Sequence, residues 1–194
     1  MKQVLMSTVI LAVFLAPAPA ETWKVDKAHS QVTFSVSHLV IAEVRGRFKE
    51  FDVTMYHEND DFTDARIEAV IRAASLDTDN ERRDNHLRSD DFFNVEKFPE
   101  LKFTSSSMEK TGKNTYKLKG DLTIRDITKP IVLDVRFNGA IKDPGGNTKI
   151  GFKATTTISR FEFGTKWSRV LETGELIAGE MVDITLLMEF EKES

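Results

Sequence analysis

Apolar and polar side chains alternate with a period of two along most of this chain. In "QVTFSVSH", Val32, Phe34 and Val36 share one face while Thr33, Ser35 and Ser37 share the other. "ARIEAVIRA" repeats the pattern through Ile67, Ala69 and Ile71, and "LKFTSSSM", "TYKLKGDLTI", "IVLDVRFNGAI", "IGFKATTTIS" and "VDITLLMEFE" continue it. With the short "TWKVD" and the less regular "GRFKEFDVTMY", the pattern predicts about eight or nine strands, mostly with one apolar face. "EKTGKN" (109–114) and "KDPGGN" (142–147) put Gly and Asn where hairpins need positive φ. Pro130 is expected to open a strand at Ile131, where its missing N–H costs little. Strands joined by such turns are antiparallel, and eight of them remove their edges as a sandwich or a closed barrel.

Two stretches break the rhythm. "TDNE" at 78–81 reads as a capping box in which Thr78 takes the amide of Glu81. It predicts a short helix running to Arg88, with Ser89 capping a second turn through Asp91–Phe93 before Pro99 forces extension. This segment is too polar for a core helix. It is expected to lie across one end of the sheet as a lid, with Leu87, Phe92 and Phe93 inward and its charges toward water. In "HLVIAEV" (38–44), a strand continuation and a cavity-lining loop both fit, and the loop is favoured, which makes Val40 a candidate lining residue.

The first twenty residues read as a secretory signal peptide. They carry Lys2, an apolar run from Val4 to Ala16, and small residues at Ala18 and Ala20, so cleavage is expected before Glu21. The run is shorter than the roughly 20 residues that span a bilayer. One domain is then expected over residues 21–194, in the periplasm. The chain has no cysteine, which excludes disulfides, thiolate metal sites and a Cys nucleophile, so the core alone must hold it together. Its 31 acidic side chains outnumber 27 basic ones, and no concentrated basic face suggests nucleic acid as a partner.

Catalytic signatures are missing: there is no GxSxG, HExxH, P-loop or GxGxxG. His29, His38, His57 and His86 are too dispersed for a local metal site. Arg160 and Glu162, flanking Phe161, read as a salt bridge at a barrel rim. Arg82, Arg83 and Arg88 are balanced by nearby acids and serve first as ion pairs, though one or two could hold a phosphate or carboxylate head group. Fourteen phenylalanines against two tyrosines supply rigid bulk. Combined with about eight strands, they suit a barrel just wide enough for one small ligand.

Five ordered blocks carry a family resemblance: "HSQVTFSVSHL", "VRGRF", "RRDNHLRSDDFFNVEKFPELKFTS", "GDLTIRDITKPIVLDV" and "SRFEFG". The chain resembles the YceI-like family of bacterial periplasmic proteins from about Trp23 to about Glu191. The resemblance implies a lipocalin-like antiparallel barrel with a helix near its mouth, holding a polyisoprenoid or similar long-chain amphiphile without catalysis. The family's "HLRS.DFF" block falls on His86, Leu87, Arg88, Ser89, Asp91, Phe92 and Phe93, and "GRF" on Gly46, Arg47 and Phe48. Two positions depart from the pattern: Asp126 stands where glycine is common and Glu162 where aspartate is. The candidate ligand-binding set is Phe34, Val36, His38, Val40, Phe48, Ile71, Arg83, His86, Leu87, Arg88, Phe92, Phe93, Phe103, Phe152, Phe163 and Trp167. No cofactor or metal is expected beyond a bound isoprenoid, quinone-like or fatty lipid. Expected partners are that lipid, a membrane surface touched transiently without a span, and a second copy in a homodimer. Two alternatives stand beside carriage: an enzyme or accessory factor acting on such a lipid, and a ligand-free stress or interaction protein with a filled barrel.

Overall fold

The computed structural model describes residues 21–193; the expected leader and cleavage site lie outside them. The alternating runs form β1 (Glu21–Val25), β2 (Gln31–His38), β3 (Ala42–Phe48), β4 (Phe51–His57), β5 (Arg66–Arg72) and the short β6 (Leu76–Asp77). After the helix α1 (Glu81–Arg88) come β7 (Glu100–Lys110), β8 (Thr115–Ile124), β9 (Ile127–Lys142), β10 (Thr148–Ser159) and β11 (Ala178–Lys192). All named pairings are antiparallel, and β1-β4-β5-β7-β8-β9-β10-β11 returns to β1 as a closed eight-stranded ring. Closure removes the exposed edges that an open sheet would present. β2 runs along the same edge of β11 as β1, pairing with Ala178–Leu187 while β1 takes Phe190–Lys192. β3 and β6 then extend the wall beyond β2.

The extra strands come from places where the alternation is weak. "GRFKEFDVTMY" is divided between β3 and β4, with Lys49 and Glu50 at the break. The 38–44 stretch is a hairpin rather than the expected cavity-lining loop: His38 pairs with Ala42, and Leu39 and Val40 turn the chain with φ of 52° and 64°. Such values are uncommon for leucine and a genuine outlier for a β-branched residue, which is why a turn is not read there. β9 starts at Ile127, before Pro130. Proline is tolerated because β9 pairs only with β8 there, its pairing with β10 running from Asp134 onward.

The expected capping box does not form. Asn80 caps α1, its side-chain oxygen accepting the Arg83 N–H at 3.0 Å. Thr78 is buried, and both its hydroxyl and its N–H donate to Asp84 Oδ1, at 2.5 and 3.0 Å. A buried carboxylate therefore takes the Thr78 N–H that Glu81 was expected to satisfy, and turns the hydroxyl from an expected acceptor into a donor.

The two ends of the barrel differ. At one end, Phe62 packs on His57, Phe137 and Phe152 with ring centroids 4.8, 5.1 and 5.2 Å away, and Trp23 stacks on His57. These rings plug that end. Beside it, Lys149 on β10 donates to Asp26 Oδ2 at 2.8 Å and Glu189 Oε1 at 2.9 Å, with His29 Nδ1 2.9 Å from Asp26. Asp26, His29 and Glu189 are the one group among the described residues spaced for a metal ion, and the Lys149 ammonium already bridges two of them. The opposite end carries α1, the β2–β3 hairpin, the β8–β9 turn and the 160–177 segment. Among the described residues, no helix is long and apolar enough to cross a membrane.

Hydrogen bonding to Lys149 and His29 holds the Asp26 carboxyl well below the usual carboxylate range, and the same carboxylates hold Lys149 above the usual ammonium range. A depressed acid stabilises the fold above its unfolded pKa of about 3.9 and loses that contribution as pH falls through the folded value. The raised lysine contributes fully below about pH 10.4 and fails only above it. Lys149→Met should therefore lower the melting temperature by a few degrees at neutral pH. Thermal scans should show that gap to the wild type closing as the pH drops below about 4.

Candidate functional site

The inward faces of the strands enclose a cavity of about 350 Å³, within the roughly 300–1,000 Å³ typical of small-molecule sites. Its wall is aliphatic and aromatic over most of its length. Met55, Met108, Leu118 and Leu133 belong to the stretch toward the plugged end. The polar lining groups include His38, Arg83, His86, Arg160 and Thr165, from elements around the helix-covered end.

The lumen stays open because small residues sit opposite large ones. Ala69 and Ala154 line it. Gly46 and Gly120 do more: a Cβ at Gly46 would lie 2.4 Å from Phe34 Cζ, and one at Gly120 would lie 2.5 Å from Phe103 Cζ. The far edge of each phenylalanine ring thus rests on a glycine, in the space a side chain there would occupy. Gly46→Ala should push the Phe34 ring off the wall and cost about 1–3 kcal/mol, the usual range for overpacking. Phe34→Leu in the same chain should recover most of that loss, and chemical denaturation of the double-mutant cycle measures the coupling.

The cavity wall includes all of the sequence-predicted ligand-binding residues except two. Phe34, Val36 and His38 come from β2, Phe48 from β3, Ile71 from β5, Phe103 from β7 and Phe152 from β10. Arg83, His86 and Leu87 lie on α1, Phe92 and Phe93 just beyond it, and Phe163 and Trp167 in the segment after β10. Val40 lies off the wall, 64% exposed at the hairpin tip, because its left-handed turn points it away from the lumen. Arg88 also lies off it. Its guanidinium donates to Ala74 O, Leu76 O and Asn85 Oδ1, tying α1 to the chain before it.

The expected rim salt bridge between Arg160 and Glu162 is absent. Glu162 is exposed, whereas Arg160 is buried at 6% exposure and lines the cavity. Arg160 donates to the carbonyls of Gly179, Ala178 and Trp167 at 2.8, 3.0 and 2.7 Å and to Thr165 Oγ1 at 3.2 Å. Burial pulls its pKa below the ordinary guanidinium value, against the field of Glu180. It sits over the Phe161 ring at 4.1 Å and near Phe92 at 5.8 Å. Phe92 in turn packs with His86 and Trp167, at 5.1 and 5.9 Å between centroids. Sequence spacing gave no sign of this burial, since Arg160 stands two residues from an acid, where an ion pair is the simpler reading. Of the two departures from the family pattern, Asp126 needs no left-handed backbone, because Arg125 takes it with φ 59°.

A closed barrel with one plugged end and an apolar lumen is a barrel that binds a hydrophobic ligand in its cavity. The model of the YceI-like domain matches residues 23–190, and the chain belongs to that family. A UPF0312 protein of Staphylococcus aureus is 38% identical over 166 residues, covering 85% of this chain and 94% of that protein. The crystal structure of a Campylobacter jejuni YCEI protein is 33% identical, with a TM-score of 0.70, and covers 87% of this chain and 96% of that one. Two more distant structures share the fold. Burkholderia cenocepacia BcnA has a TM-score of 0.74 at 21% identity, covering 85% of this chain and 98% of that one. A polyisoprenoid binding domain from Saccharophagus degradans has a TM-score of 0.62 at 14% identity, covering 88% and 98%.

Proposed function

We propose that this protein carries a long-chain isoprenoid or quinone-like lipid, its tail in the lumen and its head among Arg83, His86 and their neighbours at the helix-covered end. The observation that carries this reading is the distribution of the wall. Apolar side chains line the length of the cavity, and the polar lining groups around α1 make one end suited to a head group. Burial alone supplies the affinity, at roughly 25 cal/mol per Å² of apolar surface withdrawn from water. A polyisoprenoid binding domain of the same fold supports the choice of tail. Phe92 and Phe93 act as the lid, and the leader expected at residues 1–20 supports work in the periplasm.

Native mass spectrometry of protein purified without detergent, followed by extraction of the bound molecule, tests the reading directly. One isoprenoid or quinone-like lipid per chain is expected. A fatty acid or amide would keep the cavity and overturn the isoprenoid tail, and polypeptide that stays bare when offered polyprenyl lipids would overturn carriage. Phe92→Ser with Phe93→Ser should reduce retention of the lipid beyond any loss of thermal stability.

Carriage also requires loading from a membrane, and the β2–β3 hairpin suits a transient contact. Val40 and Ile41 are 64% and 88% exposed at its tip, and Leu39 N–H donates to Ile177 O on the cavity-lining segment at 2.9 Å. Val40→Ser with Ile41→Ser should slow lipid transfer from vesicles while leaving affinity for dispersed lipid unchanged. The reading includes a homodimer, for which sedimentation across a concentration range is the check.

A further inference from the structure

The cavity wall has a one-sided charge. It includes Arg83, Arg160, His38 and His86 but no aspartate or glutamate, in a chain where acids outnumber bases. Neither arginine has a carboxylate within ion-pair distance among the described residues. Arg83 spends Nε and Nη2 on Thr78, at 2.8 and 2.7 Å, leaving Nη1 without a protein acceptor among the described residues. Arg160 uses four of its N–H groups on three carbonyls and a hydroxyl. Glu180 acts on Arg160 only through space, its carboxylate accepting from Ser159 Oγ at 2.7 Å. Asp91, on the outer side, lies 2.9 Å from His86 Nε2.

Arg83, His86 and Arg160 are linked in turn. His86 follows Arg83 by three residues on the same face of α1, packs edge-on against Phe92 and Trp167, and Arg160 donates to the Trp167 carbonyl. A buried positive charge facing an apolar lumen is costly unless an opposite charge joins it. A guanidinium in such a setting binds a carboxylate or phosphate more strongly than a neutral head, because charge-assisted hydrogen bonds are about twice as strong.

We propose that the ligand is an anionic amphiphile, with a carboxylate or phosphate head held by Arg160 and Arg83. This rests on the carrier reading and narrows it to lipids whose head is charged, which a neutral quinone head is not.

Calorimetric titration of delipidated wild-type protein with two matched pairs tests it: oleate against oleyl alcohol, and farnesyl phosphate against farnesol. Each anion should bind at least about tenfold more tightly than its alcohol. Preference within only one pair identifies the head as carboxylate or phosphate and supports the proposal. Equal affinity within both pairs, or tighter binding of the alcohols, overturns it while leaving carriage intact. Failure of all four to bind overturns carriage itself, and the proposal with it. Arg160→Gln and Arg83→Gln should each shrink the preference with little change in alcohol affinity. Because Arg160 also ties down three carbonyls, Arg83→Gln and the wild-type series carry the test if Arg160→Gln does not fold.

Discussion

The pairing of β11 along both edges is the constraint on which the rest of this structure depends. On one side it is matched to β10 from Met181 to Glu191; on the other it holds β2 and then β1. A strand with a free edge would leave a row of unpaired N–H and C=O groups open to other chains. Once β11 closes the ring, alternate side chains must point into a common lumen, and the period of two becomes an inside and an outside. The cavity is therefore a by-product of closure. Its emptiness is a separate matter, decided by which inward residues are large and where the large ones lie.

Glycine settles that second matter. Phe34 and Phe103 are bulky enough to fill a barrel of this size, and in the absence of Gly46 and Gly120 their rings would have no wall to lie on. The polar end follows a similar division of labour. Arg125 clamps the loop after α1 by donating to Asp90, Phe92 and Gly164, and Arg88 fastens the helix itself. With those two arginines occupied by backbone, Arg83 and Arg160 are left as the cationic part of the lining.

What could be read from the sequence follows from how local each feature is. Strand alternation is local, so "QVTFSVSH" and "IGFKATTTIS" declare their inward faces, and most of the aromatic lining was legible with them. The inward placement of Leu87, Phe92 and Phe93 was legible because "HLRS.DFF" sets them among charges that must face water. Features set by tertiary contact were not. Val40 adopts a backbone that its side chain disfavours. Thr78 answers to Asp84 rather than Glu81, and Arg160 points away from the acid two residues along the chain. Whether the lumen was filled depended on glycines at Gly46 and Gly120 that a pattern of strands registers only as weak spots.

The aromatic plug around Phe62 makes the lumen a blind tube, and a blind tube is a ruler. On the carrier reading, a tail that enters past the helix would be stopped at Phe152, backed by the Phe62 and Phe137 rings, so its length would be measured from that stop to the arginines. Each methylene short of the head group's position leaves lumen unfilled, and each one beyond it is pushed back toward water at about 0.8 kcal/mol. Chain length would thereby be judged by solvent at the mouth, even though no side chain in the wall distinguishes one methylene from the next.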